Sequence, residues 1–230
     1  MKYTILLPTL NEELGLIKTV VEIDQAIRPD IGKHEFHIVV VDGGSTDKTL
    51  EWAYHLGCET VSCKVKGKGA AIAQAIKELP TPDYFIMLDA DYTYNFKRLW
   101  RDIEGLTIGT KYLVGLRTYR VEEEKGAMPL PNKVANWVMT NFARILYWDF
   151  TLKDLCSGFW VIQGDTAKWI DIESKGFTLE AELYFVTRRQ KPCNLVVGYR
   201  KRVGGEKKTK PIDAIKICWY LLRKRWTRNP

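Results

Sequence analysis

The first ninety residues alternate between short apolar runs and longer segments with helical periodicity. The apolar runs cover residues 3–7, 36–41, 59–64 and 84–88, and each has the length of a buried strand. Between them, residues 12–26, 48–56 and 70–79 are typical of helices, with Ser45 or Thr46 as the expected cap of the second. This alternation predicts an α/β fold with a Rossmann-like, doubly wound and mostly parallel sheet.

The second half of the chain is less regular. We predict strands at residues 112–116, 159–163 and 195–199, and helices at 134–150, 178–188 and 212–226. Residues 121–131 and 204–209 are predicted loops, because charged residues, glycine and proline are concentrated there. The length suits one domain, with a basic amphipathic helix expected at 211–230 and no transmembrane segment.

Two carboxylates, Asp89 and Asp91, follow the apolar run at 84–88 directly. Side chains two residues apart in extended backbone point the same way, and ligands of open α/β sheets bind at this end of the strands. Mg²⁺ and Mn²⁺ commonly take one or two protein carboxylates and complete their shell with phosphate and water. The pair therefore indicates a divalent metal site, although a solvated acidic turn is an equally ordinary explanation of Asp-x-Asp alone.

Polar residues also follow the first two predicted strands. Asp42 is placed to accept hydrogen bonds from a base N–H or a ribose hydroxyl, or alternatively to cap its own turn. Asp47 is open to the same two interpretations. The dinucleotide fingerprint GxGxxG and the Walker A loop are both absent from the sequence, which argues against a dehydrogenase or a P-loop enzyme.

Composition and charge narrow the class of partner. The chain is 46% hydrophobic, enough to bury a full core, and its formal net charge is +7. Residues 198–230 carry a net charge of about +9, so nucleic acid, an anionic membrane surface or a phosphorylated substrate would suit that end. The five cysteines lack zinc-type spacing, which predicts free thiols in a reducing cytoplasm and no structural metal.

Four motifs, which occur in a fixed order along the chain, are more specific than any single residue pair. They are Pro8-Thr-Leu-Asn-Glu12, Val39-Val-Val-Asp-Gly-Gly-Ser-Thr-Asp-Lys-Thr49, Lys66-Gly-Lys-Gly-Ala70 and Leu88-Asp-Ala-Asp91. With Gly115-Leu-Arg117, the segments at 154–159 and 176–180, and Arg202-Val-Gly-Gly205, they resemble family 2 glycosyltransferases of the GT-A fold. The resemblance covers about residues 1–210, which it implies are a GT-A catalytic domain. It is closest to the dolichyl-phosphate sugar synthases, which transfer mannose, glucose or an N-acetylhexosamine to a polyprenyl phosphate.

The resemblance implies a role for each matching residue. It places the nucleotide sugar, GDP- or UDP-linked, against Pro8, Thr9, Leu10, Glu12, Asp42, Gly43, Lys68, Asp89, Ala90 and Asp91. It places Mg²⁺ or Mn²⁺ on Asp89 and Asp91, and the acceptor phosphate near Arg117, Asn132, Lys133 and Arg202. Asp154 and Glu180 would contact the sugar, with Glu180 a possible base. Two positions depart from the family: Leu10, usually aromatic, and Thr93, often glutamine.

The implied reaction is inverting transfer, with Asp91, Arg117 and Arg202 as the catalytic residues. A phosphate acceptor is already ionised and needs cations rather than a general base. A soluble saccharide acceptor is the alternative within enzymes, and it would require a base such as Glu180. A non-catalytic nucleic-acid-binding protein is the alternative of another class, though the acidic strand ends argue against a nucleic-acid partner.

The predicted C-terminal helix, residues 212–226, indicates whether the protein binds a membrane surface. It combines Ile215, Trp219 and Leu222 with basic residues, a pattern that suits the membrane interface, although an aromatic stripe is more often part of a core. We expect a peripheral protein at the cytoplasmic face of a membrane. The sequence leaves the oligomeric state open.

Overall fold

The structure is a computed structural model, and it describes residues 1–106, 109–117, 124, 126–205 and 210–227. These residues form one seven-stranded sheet in the order β3-β2-β1-β4-β6-β5-β7. Its strands are β1 Lys2–Thr9, β2 Glu35–Asp42, β3 Glu59–Ser62, β4 Tyr84–Met87, β5 Tyr112–Arg117, β6 Trp160–Gln163 and β7 Cys193–Val197. The doubly wound α/β prediction is confirmed.

Strands β1 to β4 are mutually parallel, and their register brings Thr9 level with Asp42. Strand β6 runs antiparallel to both β4 and β5, so the second half of the sheet is mixed. Strands β5 and β7 are parallel to each other. The carboxyl ends of β1, β2 and β4 therefore lie along one edge, where the predicted acidic residues follow.

Helices cover both faces of the sheet. They are α1 Glu13–Ile27, α2 Thr49–His55, α3 Lys68–Glu78, α4 Phe96–Leu106, α5 Leu130–Tyr147, α6 Gly164–Trp169, α7 Leu179–Thr187 and α8 Pro211–Thr227. One core cluster joins α1 and α4 to the sheet, and a second joins α3, α6 and α7 to its other face. This is the layered packing that alternating strands and helices predict.

Two helices were not predicted. Helix α4 carries an apolar stripe at Phe96, Leu99, Trp100 and Ile103, which are all buried against α1 and the sheet. The spacing is helical, but the segment holds many charged and polar residues. Helix α6 has only six residues, too few to show a period.

Helix α8 is part of a third cluster. Its Ile217, Tyr220 and Leu221 are buried among side chains from α5 and α7. Lys224, which the sequence places with the basic residues of this helix, turns inward and pairs with Glu173 at 2.6 Å. Residues 211–227 therefore share a core with the region before them.

The boundaries of other predicted elements differ in detail. The predicted caps Ser45 and Thr46 are wrong: the Asp47 carboxylate accepts from the Thr49 N–H at the start of α2. Helix α5 begins four residues earlier than predicted and ends at Tyr147, because Trp148 adopts the left-handed conformation with φ of 54°. Parts of the predicted loops, 121–123, 125 and 206–209, lie outside the described residues.

Candidate active site

The loops after β1 and β2 are joined at the carboxyl edge of the sheet. The Gly43 N–H donates to the Thr9 carbonyl at 2.9 Å, and the Thr46 N–H donates to Asn11 Oδ1 at 2.7 Å. Thr9 and Asp42 are buried, while Pro8 is half-buried and the Leu10 side chain is exposed. These two loops therefore lie side by side at this edge.

Asp42 is engaged within its own turn. Its carboxylate accepts from the Gly44 N–H at 2.9 Å and from the Ser45 hydroxyl at 2.5 Å. It also accepts from the Ser45 N–H at 3.0 Å. The structure therefore displays the turn-capping interaction, and a base or ribose contact would have to use the carboxylate's remaining lone pairs.

Lys68 connects the two halves of the chain. Its Nζ lies 2.6 Å from Asp89 Oδ1 and 2.7 Å from Glu180 Oε1, and its side chain is 12% exposed. Burial acts to lower the pKa of Lys68, but the Asp89 and Glu180 carboxylates outweigh burial and raise it above its usual value. Burial likewise acts to raise the pKa of Asp89, but Lys68 holds it below its usual value.

Asp91 and Glu12 share a second cation. Arg202 Nη1 lies 3.1 Å from Asp91 Oδ2, and its Nη2 donates to Glu12 Oε1. The Thr93 hydroxyl donates to Asp91 Oδ1 at 2.6 Å. Burial, and then the negative charge of Asp89, raise the pKa of Asp91. Asp89 and Asp91 thus interact with each other and have separate basic partners.

Arg117 points toward Asp154. Its Nε and Nη2 each lie 2.7 Å from a carboxylate oxygen of Asp154, and Asn136 Nδ2 donates to the same carboxylate at 3.0 Å. The side chains of Arg117 and Asp154 are 9% and 3% exposed. The structure therefore shows Arg117 as one member of a buried ion pair at the end of β5.

The remaining predicted site residues lie on neighbouring elements. Ala90 is buried between the two aspartates, and Asn132 and Lys133 lie half-buried in the first turn of α5. Glu180 begins α7 and reaches Lys68, whereas Glu182 accepts backbone N–H groups from Glu173 and Ser174. Glu180 thus belongs to the acidic cluster and Glu182 does not.

Close approach of backbone shapes the floor of this site. A Cβ added at Gly158 would lie 2.3 Å from Asp89 Oδ2, and one added at Gly205 would lie 2.6 Å from Glu12 Oε2. Gly205 also has a φ of +60°, which favours glycine. Both glycines therefore allow the acidic side chains to occupy the positions described.

The sequence reasoning missed several residues that support the site. Glu22 and Arg200 form an ion pair beside Asp91, and Tyr94 accepts the Gly158 N–H through its hydroxyl oxygen at 2.9 Å. Asn136, whose Nδ2 donates to Asp154, was likewise not predicted as a site residue. Each depends on a contact between distant parts of the chain, and the motifs contain no local signal for it.

The donor atoms present fit a divalent cation. Asp89 and Asp91 offer carboxylate oxygens at a buried edge, and their basic partners show that the site balances concentrated negative charge with cations. Among the described residues, no three His, Cys, Asp or Glu side chains gather as a complete metal site. Two carboxylates with open positions suit Mg²⁺ or Mn²⁺ completed by phosphate oxygens.

The sequence model of the family "Glycosyl transferase family 2" matches residues 4–167, which include every strand end of the acidic edge. The chain belongs to this family. It is therefore a glycosyltransferase, which confirms the resemblance found from the motifs and the expectation of an enzyme.

Curated relatives agree with the family. Glycosyltransferase AglJ of Haloferax volcanii is 30% identical, over 98% of this chain and 73% of its own length. Dolichol-phosphate mannosyltransferase of Pyrococcus furiosus is 26% identical, over 91% of this chain and 60% of its own. Dolichyl-phosphate hexose transferase of Haloferax volcanii is 26% identical, over 88% and 85%. The chain thus spans less than two thirds of the Pyrococcus relative.

Solved structures share the fold. Glucosyl-3-phosphoglycerate synthase of Mycobacterium tuberculosis, crystallised with phosphoglyceric acid, superposes with a TM-score of 0.72 at 17% identity, over 97% of this chain and 79% of that one. A second structure of that enzyme, with Mn²⁺, UDP and glucosyl-3-phosphoglycerate, gives 0.70. The fold of this glycosyltransferase is GT-A.

Proposed function

We propose that this family 2 enzyme transfers a hexose or an N-acetylhexosamine, with inversion, from a nucleoside diphosphate sugar to a polyprenyl phosphate such as dolichyl phosphate. The observation that carries the proposal is the pairing of Asp89 and Asp91 with Lys68 and Arg202 at the carboxyl end of β4. Such a cluster suits a ligand that brings both a metal and phosphates, because carboxylates and cations each gain a partner.

The donor would bind with its nucleoside against the loops after β1 and β2 and its diphosphate over Asp89 and Asp91. Mg²⁺ or Mn²⁺ on these carboxylates would neutralise the charge that develops on the leaving nucleoside diphosphate. Thr93 orients Asp91 by donating to Oδ1, which leaves Oδ2 directed toward Arg202. Lys68 sets the position of Asp89 and stays protonated while doing so.

The contact between Glu180 and Lys68 favours a phosphate acceptor. Glu180 Oε1 accepts from Lys68 Nζ at 2.7 Å, so this oxygen already has a cationic partner and is not free to accept a proton from a substrate hydroxyl. A hydroxyl acceptor needs a base in the transition state, whereas an ionised phosphate needs only to be positioned. Arg202, with 28% of its side chain exposed and its Nη1 3.1 Å from Asp91 Oδ2, would lie between the donor diphosphate over Asp91 and the acceptor phosphate, and would contact both.

Arg117 would act differently from the role that the resemblance implies. Because Asp154 already occupies two of its donors, it has fewer left for a bidentate phosphate contact. We assign Arg117 and Asp154 to the wall facing the transferred sugar or the acceptor phosphate, with Asn132 and Lys133 at its rim.

The names of two relatives, a dolichol-phosphate mannosyltransferase and a dolichyl-phosphate hexose transferase, support the lipid acceptor. The exposed faces of α5 and α8 support it independently. Together with Trp148, which directly follows α5, they carry large apolar side chains: Val134, Trp137, Ile145, Ile215, Trp219 and Trp226. Exposed Lys216, Arg223 and Arg225 accompany them on α8, a combination that suits an anionic membrane surface.

No helix among the described residues is long and apolar enough to span a membrane. Our proposal includes a peripheral position at the cytoplasmic face of a membrane, for which the exposed apolar and basic side chains of α8 are the support.

The test is sugar transfer from a panel of radiolabelled UDP- and GDP-sugars to dolichyl phosphate, with Mg²⁺, with Mn²⁺ and with EDTA. We expect a lipid-extractable product from one donor, abolished by EDTA and by Asp91→Asn. Asp102→Asn, on the exposed side of α4, is the matched control and should keep full activity.

Two results would contradict the proposal in different ways. Donor hydrolysis without lipid product would contradict the lipid acceptor and indicate a soluble saccharide or a small phosphorylated acid instead. A lipid product formed equally well in EDTA would contradict the proposed role of a divalent metal.

A further inference from the structure

The segment that carries Arg202 lies directly against the segment that carries Asp91. The Arg200 N–H donates to the Thr93 carbonyl at 2.8 Å, and the Val203 N–H donates to the Asp91 carbonyl at 3.0 Å. The position of the Arg202 side chain is therefore set by how residues 199–203 are held on residues 91–94.

Arg200 fastens these two segments with its side chain. Its Nη1 and Nη2 bind the two carboxylate oxygens of Glu22 at 2.8 and 2.9 Å, and Nη2 also donates to the Tyr94 carbonyl. Its guanidinium carbon lies 3.8 Å from the centre of the Tyr92 ring. Both charged side chains are at most 15% exposed, so the pair is shielded from solvent and its geometry is fixed.

Glu22 extends this arrangement into α1 and α4. Its Oε1 accepts from the Phe96 N–H at 2.7 Å, at the first residue of α4. One turn earlier in α1, the Thr19 hydroxyl oxygen accepts from the Tyr92 N–H at 3.1 Å. One face of α1 therefore binds both the segment that carries Asp91, through Thr19, and the Arg200 side chain, through Glu22.

Tyr92 shows that this segment needs such support. Its φ of 65° is in the left-handed region, which non-glycine residues seldom adopt. A residue persists there when its surroundings fix it, and such residues cluster at ligand sites. Asp91 and Thr93 flank this residue directly, so its conformation determines where the Asp91 carboxylate points.

We propose that Glu22 and Arg200 are positioning residues of the glycosyltransferase site, which act through Arg202 and Asp91 on the diphosphate end of the nucleotide sugar. Neither side chain touches that ligand in this assignment. Arg200 fixes residues 199–203, and Glu22 fixes Arg200. The assignment rests on the proposed function for its ligand, and on the described contacts for its geometry.

The first experiment needs no ligand. Amide hydrogen exchange is compared in the wild type, Glu22→Gln, Arg200→Lys and the control Glu104→Gln. Glu104 also holds basic partners, Lys33 and His34, but it lies late in α4 and away from the acidic edge. We expect the amides of residues 199–205 to exchange faster, by about tenfold, in the Glu22 and Arg200 variants alone. Unchanged exchange in both would overturn the proposal.

The second experiment distinguishes positioning from general stabilisation. Affinity for UDP and GDP with Mn²⁺ is measured in Glu22→Gln, Arg202→Gln and the double variant. We expect Glu22→Gln to weaken binding by about fivefold alone and by less than about twofold in the Arg202→Gln background.

Equal effects in the two backgrounds would overturn the proposal, because a merely structural role is additive. If neither nucleoside diphosphate bound the wild type, the proposed function would fail. The exchange experiment would still decide whether Glu22 and Arg200 hold residues 199–203.

Discussion

Arg117 and Asp154 form a two-point ion pair, with Nε and Nη2 of the arginine each 2.7 Å from one carboxylate oxygen. Burial acts to lower the pKa of Arg117, but Asp154 outweighs it and holds the pKa well above its usual range. The arginine is permanently charged, and the aspartate has lost most of its contact with water. Each is therefore the other's main source of stabilisation.

Arg117→Ala is consequently expected to lower stability as well as activity. It leaves the Asp154 carboxylate buried with only weaker partners, which should reduce the free energy of unfolding by about 3–5 kcal/mol. Urea denaturation measures this. The double variant Arg117→Met with Asp154→Leu should recover most of the stability but not the activity. Unaltered stability in Arg117→Ala would contradict the buried pair.

Glu180→Gln separates the two classes of acceptor. For a phosphate acceptor we expect loss of turnover of about tenfold or less, since the amide oxygen still accepts from Lys68. For a hydroxyl acceptor, loss of the base should cost about 100-fold or more. Steady-state kinetics with saturating donor measure the difference. Glu78→Gln, near the end of α3, serves as the control.

Gly158→Ala should impair transfer without a global change in structure. The new methyl group would meet Asp89 Oδ2 at 2.3 Å and force that carboxylate to move. A displacement of about 1 Å in a catalytic geometry can cost about 100-fold in rate. The control is Gly105→Ala in α4, where nothing lies within 4 Å of the added Cβ. It should keep activity and gain up to about 1 kcal/mol of stability.

The cysteines provide a prediction about pH. Burial raises the pKa of Cys58, and burial together with Asp42 and Glu78 raises that of Cys63, each to about 11. The unfolded thiols ionise near pH 9, so the free energy of unfolding should fall from about pH 9 to about pH 11. Below about pH 9 both thiols are protonated in the folded and the unfolded state, so they do not make the free energy of unfolding depend on pH.

Thiol labelling tests the same burial directly. At pH 8 the exposed Cys193 should react first with a thiol reagent, and Cys58 and Cys63 much more slowly. Rapid labelling of Cys58 in the folded protein would contradict its protected environment. Cys193→Ser should remove the fast phase and leave the slow one.

The membrane surface proposal is tested at two exposed residues of α8. Ile215 and Trp219 are 65% and 68% exposed, so their replacement by serine leaves the core intact. We expect binding to vesicles containing anionic lipid to fall by about tenfold. Trp169→Ser on α6 is the control, because that tryptophan is 88% exposed on another part of the surface. Deleting residues 211–230 would be a poor test, since it removes the buried Ile217 and Leu221.

The strands and the acidic edge could be predicted because their signals are local. Apolar runs of five or six residues mark β1, β2 and β4, and polar residues follow each of them. The order of the motifs then placed Asp42, Asp89 and Asp91 on one edge, since parallel strands end together. Helix α4 was missed although its apolar spacing was present, because charged residues surround its four buried side chains.

The pairing of charges could not be predicted in this way. Lys68 and Glu180 are 112 residues apart, and Glu12 and Arg202 are 190 apart. Which arginine meets which carboxylate depends on the packing of β5, α5 and α7, and no local pattern encodes it. For that reason the sequence contains no indication that the Arg117 guanidinium binds Asp154, and its expected phosphate contact stays a prediction.

The distance in sequence between these partners has a consequence for how the protein forms. During synthesis, the N-terminal half emerges with Asp89 and Asp91 before Glu180 and Arg202 exist. Of the two basic side chains that pair with these aspartates, Lys68 precedes them in the chain and Arg202 follows them by more than a hundred residues. Contacts this far apart in sequence are slow to form. Docking of residues 199–203 on residues 91–93 therefore completes the acidic edge only after the C-terminal segment has been synthesised.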